Sequence, residues 1–149
     1  MSVQRTCAKI PLIIERSRIL HGIREFFLSR GYIEVETPVV LPTPSQEPHL
    51  EPLRTTVRDH RDASHAGFLR MSPEFSLKKL VAAGVERVFE IGPVFRDGEP
   101  WGGTHNPEFT MLEWYCRDVD YRVLMKECEA LVAHLIMART QHRHRGMTN

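Results

Sequence analysis

The chain has 149 residues, of which 42% are hydrophobic and 26% charged, so it is long enough for one domain with a core but too short for two. Its net charge of +1 argues against bulk electrostatic binding to nucleic acid or anionic lipid, and no apolar run reaches the about 20 residues needed to span a bilayer. Three cysteines without metal-type spacing favour a cytoplasmic protein and no zinc site, with Cys128 as a small core residue.

The first half of the chain combines one helical pattern with strand-like segments. Apolar residues recur at helical spacing over residues 14–30, and Gly31 ends this helix. Residues 32–36 alternate with a period of two, which predicts a strand, and closely spaced prolines make the segment after it irregular. Residues 53–57 and 68–71 are predicted as short strands on either side of a polar turn.

The second half predicts two further helices with a long-looped β-hairpin between them. Ser72-Pro73-Glu74 is a helix start, with the serine at the N-cap, and the helix ends at the next glycine. Residues 87–95 and 108–115 are the strands of the hairpin, and apolar spacing predicts the last helix from Asp120. This mixture of helices and hairpin strands is typical of an α+β fold with an antiparallel sheet.

Two parts are distinguished along the chain. Residues 1–137 carry the patterned segments and are predicted to be one domain, whereas residues 138–149 are basic, lack a pattern and are predicted to be a disordered tail. The sequence contains no Gly-Lys-Ser/Thr phosphate loop and no dinucleotide fingerprint. A nucleotide site in this chain would therefore use neither of these two glycine-rich loops.

The second strand of the hairpin contains a carboxylate that an ordinary core strand does not need. The stretch THNPEFTMLEWY, residues 104–115, leads from a loop broken by glycine and proline into a strand that includes Glu113 and Tyr115. Residues two apart on a strand project from the same face, so the carboxylate and the phenol are expected side by side. This pair marks the strand as a candidate site.

Several separated segments, in this order, resemble the class II aminoacyl-tRNA synthetases. GYIEVETP, residues 31–38, is similar to motif 1 of that family, and Phe95-Arg96-Asp97 with the following loop and strand is similar to motif 2. The lysyl branch is the most similar, and residues 49–53 and 71–74 resemble its elongation factor P–lysine ligases. The resemblance covers roughly residues 13–133 and implies the antiparallel catalytic sheet of that family.

The resemblance implies that ATP is a substrate. Such enzymes join a lysine-type amino acid to ATP and form an aminoacyl-adenylate and pyrophosphate. Arg96 would be the catalytic residue, binding the α-phosphate and the substrate carboxylate with its planar set of donors; the alternative is an ordinary surface arginine. Phe109 would stack on adenine, and the alternative is a core aromatic residue. The ATP site implied by the resemblance comprises Arg96, Glu99, His105, Asn106 and Phe109.

The resemblance also implies lysine or β-lysine as the amino acid. Glu113 would bind its side-chain ammonium with Tyr115 alongside, and Glu74 would bind the α-ammonium. For Glu74 the alternative role is to complement the helix dipole, and Ser72 either lines the same pocket or only caps the helix. No metal ligands are predicted in this chain, because the protein ligands of the Mg²⁺ that accompanies ATP are expected in the second half of the domain.

Two departures from the family pattern limit what is expected of this chain. The motif 2 loop is one residue longer than in the ligases, and its acidic residue is displaced to Glu99. The family's motif 3 and the rest of the lysine pocket would lie beyond Asn149. The chain is therefore expected to carry about the first half of a catalytic domain and not to complete the reaction by itself.

The acceptor of the activated amino acid is predicted from the start of the chain. Some thirteen residues precede the predicted first helix, so an anticodon-binding barrel is not expected, which favours elongation factor P over tRNA as the acceptor. The alternatives are a fragment of a lysyl-tRNA synthetase and a non-catalytic, truncated remnant. By resemblance, the complete protein is expected to form a homodimer through motif 1 and to have no membrane partner.

Overall fold

The structure is a computed structural model that describes residues 7–100, 102 and 104–145, with side chains up to residue 140. It divides into two compact units, one made of the residues up to Tyr32 and those from Asp118 on, the other of Ile33–Arg117. No helix in these ranges has an apolar stretch long enough to cross a bilayer. The elements are α1 (Ile10–Leu28), β1 (Ile33–Glu34), β2 (Val40–Leu41), β3 (Arg54–Arg58), β4 (Ser64–Leu69), α2 (Glu74–Ala82), β5 (Arg87–Phe95), β6 (Glu108–Cys116) and α3 (Tyr121–Arg145).

The helical unit is held together where α1 packs on α3. Phe26 and Phe27, in the last turn of α1, are fully buried, and the Phe26 ring lies 5.7 Å from the ring of His134 on α3. Tyr32 packs edge-on against Phe27, with 5.0 Å between the ring centroids. The Tyr32 hydroxyl donates to the Glu127 carboxylate at 2.8 Å, so an apolar contact and a hydrogen bond join the two helices.

Both helices of this unit are longer than their sequence patterns predict. α1 begins at Ile10, with a proline in its first turn, where a missing N–H costs nothing. α3 continues to Arg145, past residue 137 where the patterned part of the sequence ends, and residues 146–149 lie outside the described residues. No glycine or proline interrupts the helix up to Arg145. The disordered tail over residues 138–149 stays a prediction. Cys128 is exposed and not a core residue, whereas Leu131 on the same helix is buried.

The second unit is built around the antiparallel hairpin of β5 and β6. The register runs from Arg87 opposite Cys116 to Phe95 opposite Glu108, which confirms the predicted hairpin. β1 pairs with β5 in parallel through Ile33–Glu34, so this strand is shorter than predicted and the sheet is not purely antiparallel. In the described residues the strand order of the sheet is β1-β5-β6.

The hairpin of β3 and β4 forms another sheet in the same unit. Its register runs from Arg54 opposite Phe68 to Arg58 opposite Ser64, and β2 pairs antiparallel with β4. The predicted pair of strands around a polar turn is confirmed, but β4 starts at Ser64 and not at residue 68. Its first residues are polar and exposed, so they carry no apolar alternation that a sequence pattern could reveal.

Helix α2 packs against the β5–β6 hairpin and buries Leu77 completely. The helix begins one residue later than predicted, because Pro73 occupies the N-cap position; the Ser72 hydroxyl accepts a long hydrogen bond of 3.4 Å from the Glu74 amide. Gly84 follows the helix with φ of +109°, a conformation that favours glycine at a helix end. The mixture of helices and hairpin sheets confirms the predicted α+β class.

A buried ion pair connects the residue that follows β4 to β5. Arg70 and Glu90 are each 2% exposed, and their side chains contact each other directly. Arg70 also donates through Nε to the Pro93 carbonyl at 2.9 Å and through Nη1 to Thr37 Oγ1 at 2.8 Å. Gly92 leaves room for the guanidinium, since a Cβ at that position would lie 2.3 Å from Arg70 Nη2. The charges are therefore paired and hydrogen-bonded, as burial requires.

Candidate functional site

Arg96 lies at the open end of the β5–β6 hairpin, immediately after β5. Its amide donates to the Pro107 carbonyl at 2.9 Å, which continues the strand pairing by one step. Its guanidinium lies 5.1 Å from the centroid of the Phe109 ring, within the range of a cation–π interaction. The Arg96 Nε is buried, and no group in the described part of the chain accepts a hydrogen bond from it. An unpaired buried donor costs folding free energy, so this atom is a candidate ligand contact.

The residues predicted to bind ATP surround a cavity of about 310 Å³. Glu99 Oε2 and His105 Nδ1 lie 3.4 Å apart, so two residues of the long loop meet at this cavity. A guanidinium, an imidazole, an amide and an aromatic ring on one cavity suit a ligand with phosphates and a flat base. The individual roles stay predictions. The described lining residues are Arg96, Glu99, Thr104, His105, Asn106 and Phe109.

A larger cavity of about 640 Å³ adjoins the first, since Glu99, Asn106 and Phe109 line both. Its walls include the apolar side chains of Leu53, just before β3, and Leu69, the last residue of β4. No local sequence pattern predicts this cavity, because these leucines are far in sequence from the motif 2 loop. Together the two cavities provide a polar region next to an apolar one, as small-molecule sites commonly do.

Glu113 and Tyr115 lie side by side on β6, as their spacing predicted. The Tyr115 hydroxyl donates to Glu113 Oε1 at 2.7 Å. Burial raises the pKa of the Glu113 carboxyl, the bond from Tyr115 lowers it, and the neighbouring Glu74 carboxylate raises it. Burial and the bond to Glu113 raise the pKa of the Tyr115 phenol, which therefore stays protonated at neutral pH. A partly desolvated carboxylate next to another negative charge favours a bound cation.

Helix α2 brings Glu74 to the same region. Glu74 lies in the first turn, where a negative charge complements the helix dipole, so the alternative role considered for it is compatible with the structure. Its carboxylate contacts the ammonium of Lys78, which raises the pKa of Lys78, and Lys78 Nζ lies 5.9 Å from the Tyr115 ring centroid. We call Glu74, Lys78, Glu113 and Tyr115 the acidic cluster. Ser72 adjoins it through the long bond from the Glu74 amide.

Sequence reasoning missed Thr104, Lys78 and Arg70. A signal for Lys78 was present, because it follows Glu74 by four residues in a predicted helix, a spacing at which opposite charges meet. Thr104 lies inside the stretch that drew attention to the loop, but nothing distinguished it from its neighbours. A single arginine at the end of a short strand carries no local sign that it is buried, so Arg70 could not be identified.

Other features of the molecule do not extend this site. The described residues include no group of three or more His, Cys, Asp or Glu side chains arranged to hold a metal ion. A cavity of about 420 Å³ in the helical unit lies between α1 and α3, and its described lining includes none of the predicted site residues.

Comparison with known proteins identifies the family. The sequence model of the tRNA synthetases class II (D, K and N) matches residues 4–147. A lysine–tRNA ligase of Chromohalobacter salexigens is 43% identical over 134 residues, which cover 88% of this chain and 26% of that protein. The matched residues include both cavities and the acidic cluster.

Relatives of a second kind match over a similar share of this chain. The elongation factor P–(R)-β-lysine ligases of Actinobacillus succinogenes and Pasteurella multocida are 38% and 40% identical over 130 residues, which cover 87% of this chain. These residues make up 40% of each ligase. The chain thus spans well under half the length of the curated relatives of either kind.

Proposed function

Because the chain belongs to the class II tRNA synthetases of the D, K and N type, we propose that it is part of an enzyme that activates lysine or β-lysine with ATP. A carboxylate oxygen of the amino acid bonds to the α-phosphorus of ATP, and the bond from that phosphorus to the pyrophosphate oxygen breaks. The products are an aminoacyl-adenylate and pyrophosphate. The observation that carries the proposal is that one β-hairpin bears both the Arg96 cavity and the Glu113–Tyr115 pair.

Arg96 would neutralise the charges that meet during this attack. The carboxylate and the α-phosphate are both anionic, so they approach each other only where positive charge and donors are in place beforehand. The orphaned Nε of Arg96 and its neighbouring guanidinium nitrogens supply such donors. The Phe109 ring beside it offers a flat apolar face on which adenine would stack. Glu99, His105 and Asn106 complete the proposed ATP site.

The acidic cluster would bind the ammonium groups of the amino acid. Glu113, with Tyr115 as its hydrogen-bond partner, would bind the side-chain ammonium, and Glu74 would bind the α-ammonium. The raised pKa of Glu113 supports this assignment, because a cation bound there would relieve the cost of a partly buried carboxylate. Ser72 would line the same pocket. Mg²⁺, when it accompanies ATP, would supply charge neutralisation, with protein ligands outside the described residues.

For the acceptor we propose a lysine side chain of elongation factor P, with tRNA as the second candidate. The 38% identity to an elongation factor P ligase supports the first acceptor, and the 43% identity to a lysine–tRNA ligase supports the second. Incubating the complete enzyme with ATP and labelled lysine or β-lysine, with either acceptor, distinguishes them. Labelled tRNA without labelled elongation factor P would reverse the assignment. A homodimer formed through residues 31–38 and a cytoplasmic location also stay predictions.

Ligand titration of the 149-residue chain tests the proposal directly. ATP should shift the amide resonances of Arg96, His105 and Phe109, and lysine should shift those of Glu113 and Tyr115, each in a saturable manner. His105 and Phe109 should respond to ATP but not to lysine, whereas Arg96 can respond to both, because it would also bind the carboxylate of the amino acid. If neither ligand produces a saturable shift, the proposed binding sites are wrong for this chain, and the result favours the non-catalytic remnant considered above.

A further inference from the structure

Lys78 places the chain's own ammonium in the acidic cluster. Its Nζ contacts the Glu74 carboxylate and lies 5.9 Å from the Tyr115 ring, and its charge also acts on Glu113. A primary ammonium on a four-carbon stem is the same group that a lysine ligand offers. We propose that Lys78 is an internal competitor for the ligand ammonium at Glu74, and so limits the affinity of the cluster for lysine-type ligands. The inference rests on the proposed function, because it takes lysine or β-lysine as the ligand.

The charges around the cluster support this role. Glu47 and Glu74 both act electrostatically on Glu113 and raise the pKa of its carboxyl, whereas the positive charge of Lys78 lowers it. Lys78 therefore partly neutralises a group of three carboxylates in the free protein. A ligand ammonium that reaches Glu74 meets a carboxylate that is already paired, and it must displace the Lys78 ammonium to bind there.

The Lys78 contact is weak enough to be displaced. Glu74 and Lys78 are one helical turn apart, and their side chains are 36% and 57% exposed. Exposed ion pairs at this spacing contribute little to stability, and the flexible lysine stem allows Nζ to move into solvent without a change in the helix. A competitor of this strength should reduce the affinity for lysine by about two- to fivefold.

A purely structural role for Lys78 predicts the opposite result. If Lys78 served to hold the Glu74 carboxylate in position for the ligand, its loss would leave the carboxylate less ordered and weaken lysine binding. If it served only to stabilise α2, its loss would lower the melting temperature and leave the affinity unchanged. The sign of the affinity change therefore separates competition from both structural roles.

The test is a lysine titration of the isotopically labelled 149-residue chain, followed by NMR at Glu113 and Tyr115. Lys78→Met keeps an unbranched, helix-favouring side chain and removes the charge, so it should bind lysine about two- to fivefold more tightly than the wild type. Lys78→Gln is a second neutral variant and should show the same gain. In the wild type, lysine should also shift the Lys78 side-chain resonances as its ammonium is displaced.

Lys79→Met is the matched control. Lys79 is the next residue on α2 and lines a different cavity, with Phe75 and Leu41, so its loss should leave lysine binding unchanged. Unchanged or weaker binding by both Lys78 variants, with saturable binding by the wild type, would overturn the competition and leave the proposed lysine site intact. If neither the wild type nor the Lys78 variants bind lysine, the proposed function fails and the inference fails with it.

Discussion

Glu113 is a partly buried carboxylate, and its ionised form lowers the stability of the fold. Its folded-state pKa lies above that of an unfolded glutamate, so between the two values the folded chain binds more protons than the unfolded chain. Stability therefore falls as the pH rises through this window. A carboxylate that is retained at such a cost, next to Tyr115 and Glu74, is typical of a residue kept for binding.

Replacing Glu113 by glutamine should stabilise the chain and weaken lysine binding. Glutamine cannot ionise but still offers an oxygen to the Tyr115 hydroxyl, so the melting temperature at pH 7 should exceed that of the wild type. The difference should disappear below about pH 4, where glutamate is protonated in both states. Lysine affinity should fall about tenfold or more, because an ammonium loses its countercharge, and ATP affinity should not change.

Thermal unfolding at pH 4 and pH 7, with calorimetric titration of both ligands, measures these effects. Glu36→Gln is the control, because Glu36 is an exposed glutamate of the same unit. Equal weakening of lysine and ATP binding in Glu113→Gln would mean that Glu113 supports the structure of the hairpin and does not contact lysine.

Arg96→Ala should weaken ATP binding without loss of stability. A charge-assisted hydrogen bond contributes about 1.5–3 kcal/mol, so the affinity for ATP should fall at least about tenfold. The fold should tolerate the change, because the substitution removes a buried Nε that has no partner within the described residues. In the complete enzyme the same substitution should abolish lysine-dependent exchange of pyrophosphate into ATP.

Calorimetric titration with ATP and circular dichroism on heating follow both effects. Arg58→Ala provides the control, since Arg58 is an exposed arginine of the same unit, paired with Asp62 at 3.2 Å. ATP binding by Arg96→Ala at wild-type strength would exclude Arg96 from the nucleotide site.

At the scale of the elements, local patterns predicted the strands that carry the site, but not how they pair with distant segments. β5 and β6 were placed to within a residue, because both are rich in apolar residues and Gly84, Gly98 and Pro107 lie near three of their four ends. The parallel pairing of β1 depends on a segment more than fifty residues away, which no local pattern encodes. The same is true of Arg70, whose burial arises from Glu90, Pro93 and Thr37.

Breaking the buried pair should strongly destabilise the second unit. Glu90→Gln leaves the Arg70 guanidinium buried without a countercharge, which should cost about 3–5 kcal/mol of unfolding free energy. Gly92→Ala should also lower the unfolding free energy, because the alanine Cβ would overlap the Arg70 guanidinium. Denaturant unfolding measures both, and Glu86→Gln, an exposed glutamate just before β5, is the control. A loss of less than about 1 kcal/mol in Glu90→Gln would show that the pair is not needed for the sheet.

At the scale of the whole chain, large apolar side chains are exposed on both helices of the helical unit. Leu12 on α1 is 70% exposed, and Ile136 and Met137 on α3 are 61% and 66% exposed. In the sheet of the second unit, β6 is an edge strand among the described residues. Apolar helix faces and open strand edges both invite association. Ile136 and Met137 lie in a helix predicted from the sequence, whereas Leu12 precedes the predicted start of α1. The exposure of all three could not be predicted, because it depends on what else packs there.

The 149-residue chain should therefore associate with itself. Sedimentation velocity at increasing concentration should show a rising average mass, and the double substitution Leu12→Glu with Ile136→Glu should reduce it by placing charges on both exposed faces. Lys126→Gln replaces one exposed polar residue of α3 by another and should leave the average mass unchanged. A single monomeric species up to about 0.5 mM would contradict this expectation, since weak contacts become populated in the millimolar range.

Arg70 also links the open end of the β5–β6 hairpin, next to Arg96, to the buried ion pair. Its amide donates to the Val39 carbonyl at 3.0 Å, and its carbonyl accepts from the Phe95 amide at 2.9 Å, one residue before Arg96. Because both bonds depend on a residue anchored by a buried charge pair, the Phe95 amide should exchange with solvent deuterium only when the anchored segment opens as a whole. Because Phe95 directly precedes Arg96, we expect the proposed ATP site to open and close together with the packing around Glu90, so that its amides and those near Glu90 exchange at similar rates.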